Sequence, residues 1–209
     1  MKLSSESKLF IAIAVITVFI IGIGIMLMSR PAPVLERSQL LPAGSYTQGN
    51  KEAKTYLVEF SDFQCPACRS FQPQVKALVE KNKDKLVFAY RHFPLAQHPL
   101  ALPAALAAEA AGEQEKFWEM HDYIFENQES LSEEILLSAP EKLGLDKEKY
   151  LKAFKDKKYQ DKIDKDTSDG RKFGVDATPT FFLNGKKLDL FTSSDLSKSV
   201  EETIKNNPK

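Results

Sequence analysis

The chain has no excess of either charge, few cysteines and few histidines. Lys plus Arg and Asp plus Glu both total 29 among its 209 residues. This balance provides no electrostatic attraction toward nucleic acid or an anionic surface, so nucleic-acid binding is not predicted. Only two cysteines and three histidines are present. A zinc site built on both cysteines would need further ligands, and the histidines are scattered along the chain.

The N-terminus carries a long hydrophobic run. Leu9 to Met28 contains twenty residues, and Thr17 is the only hydroxylated one among them. A helix of this length rises about 30 Å, the thickness of the hydrocarbon core of a bilayer. The run is longer than the roughly 7 to 15 apolar residues of a cleaved signal peptide. Residues 1–29 are therefore predicted to form an uncleaved membrane anchor, with a cleaved signal segment as the alternative.

The rest of the chain is predicted to form one domain. Hydrophobic residues make up 43% of the sequence, which is enough for a globular core. Residues 30–45 contain three prolines and show no strong periodicity, so they are predicted to be a linker. The folded domain is then predicted to occupy residues 46–209.

The first part of this domain has the pattern of strand, helix and strand. Thr55–Ser61 is a β-branched and aromatic run, which is typical of a buried strand. Apolar residues recur at helical spacing between Phe71 and Lys81, and Leu86–Arg91 is a second strand-like run. A mostly helical segment, rich in alanine near its start, is predicted to cover residues 96–173 approximately.

The last part returns to strands and ends in a helix. Pro179–Leu183 and Lys186–Leu190 flank Asn184-Gly185, a dipeptide that suits the type I′ turn of a hairpin. Ser193 or Ser194 can cap a final helix. The predicted order is βαβ, helical insertion, ββα, which indicates an α/β fold.

Both cysteines stand in the stretch F-Q-C-P-A-C-R-S-F, between the first strand and the following helix. Pro66 suits the first helical turn, because the N–H that it lacks would have no partner there. A thiolate at Cys65 would face the free N–H groups and the positive end of the helix dipole. Such a position lowers the pKa of a cysteine by roughly one to five units. Cys68 lies one turn further along and is expected to be more buried.

Three interpretations of the pair are open. A structural disulfide across so short a loop would remove little chain entropy from the unfolded state and would stabilise the fold little. A metal site would need further ligands from His92, His98 and His121. Redox exchange needs one activated thiol and one thiol to resolve, and the motif supplies both. Exchange is therefore favoured over metal binding, and a structural disulfide is favoured least.

With its surroundings, the motif resembles a known family. The segments V-E-F-S-D-F-Q-C-P-A-C and V-D-A-T-P-T-F-F-L-N-G, with the helical insertion between them, are similar to the DsbA-like branch of the thioredoxin superfamily over residues 51–206. The resemblance implies an α/β thioredoxin fold with a helical insertion. It also implies dithiol-disulfide exchange with cysteine-containing exported proteins, without a cofactor or a metal.

The resemblance assigns roles to individual positions. Cys65 matches the exposed nucleophile and Cys68 its buried partner, with Pro66-Ala67 as the dipeptide of the active-site motif. Pro179 matches a cis-proline whose loop packs beside the disulfide and presents backbone to an extended substrate. Thr178 precedes it, at a position that tunes the redox pair in relatives. From the residues alone, Thr178-Pro179 would be an ordinary proline at the start of a strand.

Glu59 is the other informative residue. It lies in an otherwise apolar strand, six residues before Cys65, where an unpaired buried carboxylate would be costly. Near Cys68 it could accept and return the proton of that thiol, as a group with a raised pKa. The alternative is an exposed position on the strand. The three histidines are expected to pack or to form hydrogen bonds rather than to catalyse.

The direction of exchange and the compartment follow from the same features. A stabilised Cys65 thiolate favours the reduced protein, so the couple is predicted to oxidise substrates. The N-terminal helix would place the domain on the extracytoplasmic side of the cell envelope, where disulfides persist. The resemblance implies reoxidation by a membrane partner of the DsbB-like type or a related one. A tethered reductase or isomerase, or a thiol-based copper(I)-binding protein, are the alternatives.

Overall fold

The computed structural model describes residues 5–28 and 34–207, with side chains described from residue 10 to residue 24 and from residue 34 onward. The chain divides into two compact units, Met1–Pro33 and Val34–Lys209. In the first unit, Ser5–Met28 forms helix α1. Within α1 the Thr17 hydroxyl donates to the Ile13 carbonyl at 2.9 Å, which satisfies this hydroxyl group.

In the part of the chain so described, no helix is both long and apolar enough to cross a membrane. The predicted membrane anchor at residues 1–29 is thus not confirmed by the structure and remains a prediction.

The second unit is built on one sheet. Its described strands are β1 Tyr46–Gly49, β2 Thr55–Ser61, β3 Leu86–His92, β4 Thr180–Leu183 and β5 Lys186–Lys187. They lie in the order β1-β3-β2-β4-β5. Strands β2 and β3 are parallel, and the other neighbouring pairs are antiparallel. Every residue of β2 and β3 is buried, which explains why both strands are mostly apolar in sequence, with Glu59, Arg91 and His92 among the charged or polar exceptions.

Helices cover both faces of this sheet. The described helices of this unit are α2 Arg37–Leu40, α3 Pro66–Lys81, α4 Ala101–Gly112, α5 Phe117–Glu126, α6 Glu133–Leu143, α7 Lys147–Lys155, α8 Gln160–Lys172 and α9 Ser193–Asn206. Helix α3 joins β2 to β3, and α4 to α8 form the insertion between β3 and β4. The predicted α/β fold with a helical insertion is confirmed, and the sheet has β1 as an additional edge strand.

Buried charges attach the insertion to the sheet. Arg91 on β3 is 1% exposed and pairs with Asp166 at 2.6 Å and Asp169 at 2.8 Å, both on α8. Breaking such a buried pair leaves an uncompensated charge, so it holds α8 in place. The Lys/Asp-rich sequence of α8 is typical of a solvent-exposed helix. Two of its aspartates, Asp166 and Asp169, nevertheless face the sheet and pair with Arg91.

The predicted linker differs from the structure. From Val34 onward the chain already belongs to the second unit. Leu40 is fully buried, and Arg37 donates to the carbonyls of Ala53 at 2.6 Å and Lys51 at 2.7 Å. The prolines that suggest a tether therefore flank a short ordered helix, which is held by contacts that local composition does not reveal.

The final hairpin has the predicted turn. Asn184 and Gly185 have φ of 47° and 85°, in the left-handed region that a type I′ turn requires. Strand β5 is shorter than predicted and ends at Lys187. The cap of α9 also differs: Thr192 accepts from the Asp195 N–H, and Asp195 accepts from the Thr192 N–H. This reciprocal pair explains why the helix starts one residue earlier than a serine cap would allow.

Candidate active site

The two cysteines lie at the junction of β2 and α3, as predicted. Cys65 is the N-cap residue of α3, with extended backbone at φ −75° and ψ 120°, and Pro66 is the first helical residue. Ala67 follows in the first turn, and both cysteines carry free thiols. Cys65 is 7% exposed and Cys68 is fully buried, so the expected order of exposure holds, although Cys65 is more covered than an exposed nucleophile.

The Cys65 thiol is acidified by its position. The neighbouring Cys68 thiol is the largest cause that lowers the pKa of Cys65, to about 5. Burial opposes this shift, and the Thr178 side chain and the N–H groups of Cys68 and Ala67 support it as nearby donors, although none of the three reaches hydrogen-bond geometry with the Cys65 sulfur. These N–H groups belong to the first turn of α3, where they have no partner within the helix. Cys65 is therefore largely a thiolate at neutral pH.

Cys68 shows the opposite behaviour. Burial raises its pKa first of all, and the neighbouring Cys65 and the Glu59 charge raise it further. The Asp62 N–H donates to Cys68 Sγ at 3.5 Å and opposes the shift without reversing it. One cysteine of the pair is thus charged and the other neutral, which is the asymmetry that directional exchange needs.

The loop before β4 packs against the reactive sulfur. The Thr178-Pro179 peptide bond is cis, as the resemblance implied. The Cys65 thiol lies 3.4 Å from the Thr178 carbonyl oxygen, to which it donates when protonated. Thr180 opens β4 and pairs with Phe60 on β2, so the central sheet holds this loop beside the cysteines. The structure thus brings together two segments that are more than a hundred residues apart.

Glu59 is buried rather than exposed. It is 0% exposed and lies opposite Tyr90 on β3 and Phe181 on β4. Burial raises the pKa of Glu59 to about 7. The polar side chains of Ser61 and Gln72 oppose this rise, but neither reaches hydrogen-bond geometry with the carboxylate. Within residues 34–207, neither Glu59 oxygen has a hydrogen-bond partner.

Other buried polar atoms accompany Glu59. The Tyr90 hydroxyl, the Ser61 hydroxyl and the Gln72 Nε2 atom are buried, and none has a partner among the described residues. Residues 59 and 61 share one face of β2, because strand side chains alternate, and Gln72 follows Cys68 by one turn of α3. A polar group of side chains therefore interrupts the apolar face of the sheet that α3 covers. Native proteins rarely bury polar groups that lack a hydrogen-bond partner. The groups of this kind that do occur often lie at functional sites.

Asp62 and His98 hold the loop that carries the cysteines. One Asp62 oxygen accepts from the Gln64 N–H at 2.7 Å, and the other contacts the Leu95 N–H and His98 Nδ1, each at 2.8 Å. The Asp62-x-Gln64 contact is a local turn that the sequence could have indicated. The contact with His98 spans 36 residues and could not be read from sequence.

The three histidines form contacts with acidic side chains, in line with the prediction. His92 Nε2 lies 2.9 Å from Glu109, His98 Nδ1 lies 2.8 Å from Asp62, and His121 Nδ1 lies 3.0 Å from Asp122. Burial would raise the pKa of Glu109, but His92 and Lys162 together hold it below its ordinary value. In residues 34–207, no group of three or more His, Cys, Asp or Glu side chains is placed to hold a metal ion.

Comparison with known proteins agrees with this geometry. The family described as Thioredoxin matches residues 43–202. A thioredoxin-like oxidoreductase from Silicibacter pomeroyi is 26% identical, with a TM-score of 0.70 over 82% of this chain and 99% of that one. DsbA2 from Pseudomonas aeruginosa is 26% identical, with a TM-score of 0.63 over 79% of this chain and 94% of that one.

One curated relative is a much longer protein. The Na(+)/H(+) antiporter NhaA 3 of Salinispora tropica is 37% identical over 147 residues, which are 70% of this chain and 22% of that protein. The chain thus spans about a fifth of the length of the curated relatives that it matches first. The chain therefore belongs to the thioredoxin family and is similar, across its folded unit, to thiol-disulfide oxidoreductases of the DsbA-like type.

Proposed function

We propose that this protein introduces disulfide bonds into exported proteins through Cys65 and Cys68. The observation that carries the proposal is the position of Cys65 at the N-terminus of α3, against the Thr178 carbonyl of the cis-proline loop. A thiolate stabilised by the N-terminus of α3 is a good leaving group, and its stabilisation favours the reduced form of the protein. A protein that prefers to be reduced oxidises its substrates.

The reaction proceeds in two exchanges. A substrate thiolate attacks Cys65 Sγ of the oxidised protein, so a substrate–Cys65 bond forms and the Cys65–Cys68 bond breaks. Cys68 leaves with the electron pair and takes a proton. A second substrate thiolate then attacks the substrate sulfur of the mixed disulfide, and Cys65 leaves as a stabilised thiolate. The substrate loses two electrons, and the protein gains them as a dithiol.

A redox equilibrium tests the direction. The purified domain, equilibrated with reduced and oxidised glutathione, should have a potential well above the value of about −270 mV that is typical of thioredoxin. The reduced fraction can be measured by thiol alkylation and mass spectrometry. A potential near that of thioredoxin would reject the oxidase direction and favour a reductase.

Glu59 is proposed to supply the proton that Cys68 takes. A pKa of about 7 leaves both of its protonation states populated at neutral pH. Burial raises the pKa of the Cys68 thiol, so a thiolate formed there takes up a proton readily. Glu59 would return to the protonated state when Cys68 is reoxidised.

Glu59→Gln should therefore slow the exchange about tenfold or more at pH 7, and the rate should lose its dependence on pH near 7. Rapid acid quenching, followed by alkylation, gives the rate of the oxidised protein reacting with a dithiol peptide. Glu201→Gln serves as the control, since Glu201 pairs with Lys81 at the protein surface. An unchanged pH profile in Glu59→Gln would contradict the role.

The substrates and the location extend the proposal. Substrates would be cysteine-containing exported proteins, and the segment Leu9–Met28 would anchor the domain on the extracytoplasmic side of the membrane. The apolar composition of that segment and the exposed apolar side chains of α1, such as Phe10 and Phe19, support the anchor. Reoxidation would come from a membrane partner of the DsbB-like type. Recovery of the full chain in the aqueous fraction after membrane separation would reject the anchor.

A further inference from the structure

A side chain of the helical insertion binds directly to the loop that carries the nucleophile. Gln128 opens a 3₁₀ turn, Gln128–Ser130, between α5 and α6. Its amide Nε2 donates to the Phe63 carbonyl at 2.8 Å and to the Cys65 carbonyl at 3.0 Å. Both N–H bonds of one amide are thus used on two carbonyls that flank residue 64. Sequence motifs give no sign of this contact, which spans 63 residues.

The two carbonyls stand where the backbone changes from strand to helix. The Cys65 N–H donates to the Asp62 carbonyl at 3.0 Å, which closes the turn after β2. The Cys65 carbonyl also accepts from the Arg69 N–H at 3.2 Å, as the first hydrogen bond of α3. The amide of Gln128 therefore ties the turn and the N-cap of the helix to one another. The Cys65 sulfur stays over the free N–H groups only while this N-cap geometry is kept.

The contact between the loop and the insertion is reciprocal. Gln64 Oε1 accepts from the Leu100 N–H at 2.7 Å, immediately before α4. Glu129 pairs with Arg69 at 2.5 Å, but the two side chains are 82% and 39% exposed, so this pair contributes little. Gln128 is partly buried in its contacts and uses neutral donors, which solvent and salt weaken less. Among these contacts, only Gln128 reaches the backbone of the nucleophile itself.

We propose that Gln128 is a positioning residue that sets the reactivity of Cys65 by holding its carbonyl and that of Phe63. The inference rests on the proposed exchange function and names the residue through which the insertion acts on it. Without the two donors, the Phe63 carbonyl loses its contact with Gln128 and the Cys65 carbonyl keeps only the Arg69 N–H, so the N-cap can depart from its conformation. The thiolate then loses N–H donors that the disulfide does not need, so the reduced protein is weakened more than the oxidised one. The couple becomes less oxidising.

Gln128→Met tests this role, because methionine has nearly the same shape and cannot donate. Gln114→Met is the matched control, because Gln114 also lies in the insertion and its side-chain amide also binds backbone groups. Its Nε2 donates to the Asp146 carbonyl at 3.2 Å, and its Oε1 accepts from the Asp146 N–H at 2.7 Å. Three quantities are measured on the full chain: the midpoint of Cys65 ionisation by thiolate absorbance, the equilibrium with glutathione, and the melting temperature.

The pKa midpoint of Cys65 in Gln128→Met should rise by about 0.5 to 1 unit, the size expected when the support of about one hydrogen bond is lost. The equilibrium constant with glutathione should change about three- to tenfold toward the oxidised protein. Gln114→Met should lower the melting temperature and leave both chemical quantities unchanged. A lowered melting temperature in Gln128→Met with an unshifted Cys65 midpoint would show a structural role only and overturn the proposal.

If Gln128→Met does not fold, Gln128→Asn replaces it. Asparagine keeps the donors but is one methylene shorter, so a smaller upward shift of the midpoint is expected, and no shift would overturn the proposal. Failure of the proposed exchange function can be distinguished from failure of the Gln128 proposal. If the unaltered protein does not oxidise a dithiol peptide, the exchange function is rejected. The Cys65 midpoint can still be measured in such a protein.

Discussion

Cys65→Ser should abolish disulfide transfer, whereas Cys68→Ser should stop the reaction at a covalent intermediate. Serine at position 65 cannot form the thiolate that the N-terminus of α3 stabilises, so neither the mixed disulfide nor the oxidised protein can form. Cys68→Ser keeps the Cys65 thiol at the N-terminus of α3, where it attacks a disulfide partner and then remains bonded to it. With the resolving thiol gone, the adduct lacks its intramolecular route of release.

The measurement combines turnover with the detection of adducts. Oxidation of a dithiol peptide should fall by at least about a thousandfold in Cys65→Ser, which leaves the background rate. The disulfide dimer of a single-cysteine peptide is then offered to each variant: Cys65 of Cys68→Ser should bond to one peptide and release the other as a thiolate, which mass spectrometry detects as an adduct, and Cys65→Ser should give no adduct. Ser70→Ala is the control, because Ser70 lies on the exposed side of α3 and bonds only to the Ala67 carbonyl among the described contacts. Adducts on both variants would show that Cys68 is also accessible and would contradict the assignment of roles.

The reduced protein should gain stability over the oxidised protein as the pH rises from about 5 to 9. The pKa of Cys65 is lowered from 9.0 to about 5 by the folded structure. The stabilisation by its thiolate is therefore complete above the unfolded pKa and is lost as the pH falls through the folded pKa. Four units correspond to about 5 kcal/mol, and solvent screening at the rim of the site reduces this to roughly 2 to 5 kcal/mol.

Comparison of the two redox states isolates this effect. Glu59 has a raised pKa of about 7, so its ionisation lowers stability as the pH rises, but it is present in both states and largely cancels in the difference. Melting temperatures of the reduced and oxidised protein, measured between pH 4 and pH 9 approximately, give the difference. The rate of Cys65 alkylation gives the midpoint directly, with Cys65→Ser as the blank. A midpoint near 9 would refute the acidification of Cys65.

The sequence was informative where chemistry depends on neighbours in the chain. The helix N-terminus at Cys65, the proline at its first turn and the Asn184-Gly185 turn each follow from local residue preferences, and the structure has all three. The helical character of the insertion also follows from composition and spacing. The attachment of the insertion to the sheet through Arg91 and Asp166 could not be predicted from the sequence, because an aspartate in a Lys/Asp-rich run gives no sign that it will be buried.

Errors arose where distant contacts override local pattern. Residues 34–45 have the composition of a linker, but the buried side chain of Leu40 and the hydrogen bonds of Arg37 hold them to the domain. Several neighbouring hydroxyl residues could cap α9 equally well. The contacts between Thr192 and Asp195 select Thr192 as the N-cap and so fix where the helix begins. Such choices are made by the whole structure.

Along the chain, a cysteine pair at a strand-to-helix junction and an acid in an apolar strand already indicate thiol chemistry, and the family resemblance adds a role for Thr178-Pro179. These features depend on order and spacing along the chain, which sequence records directly. The environment of the pair comes from packing in three dimensions. This packing places the Thr178 carbonyl 3.4 Å from Cys65, buries Glu59 without a partner among the described residues, and brings Gln128 onto the loop. Acidity depends on burial and on distances through space, and those exist only once the sheet and the insertion have packed together.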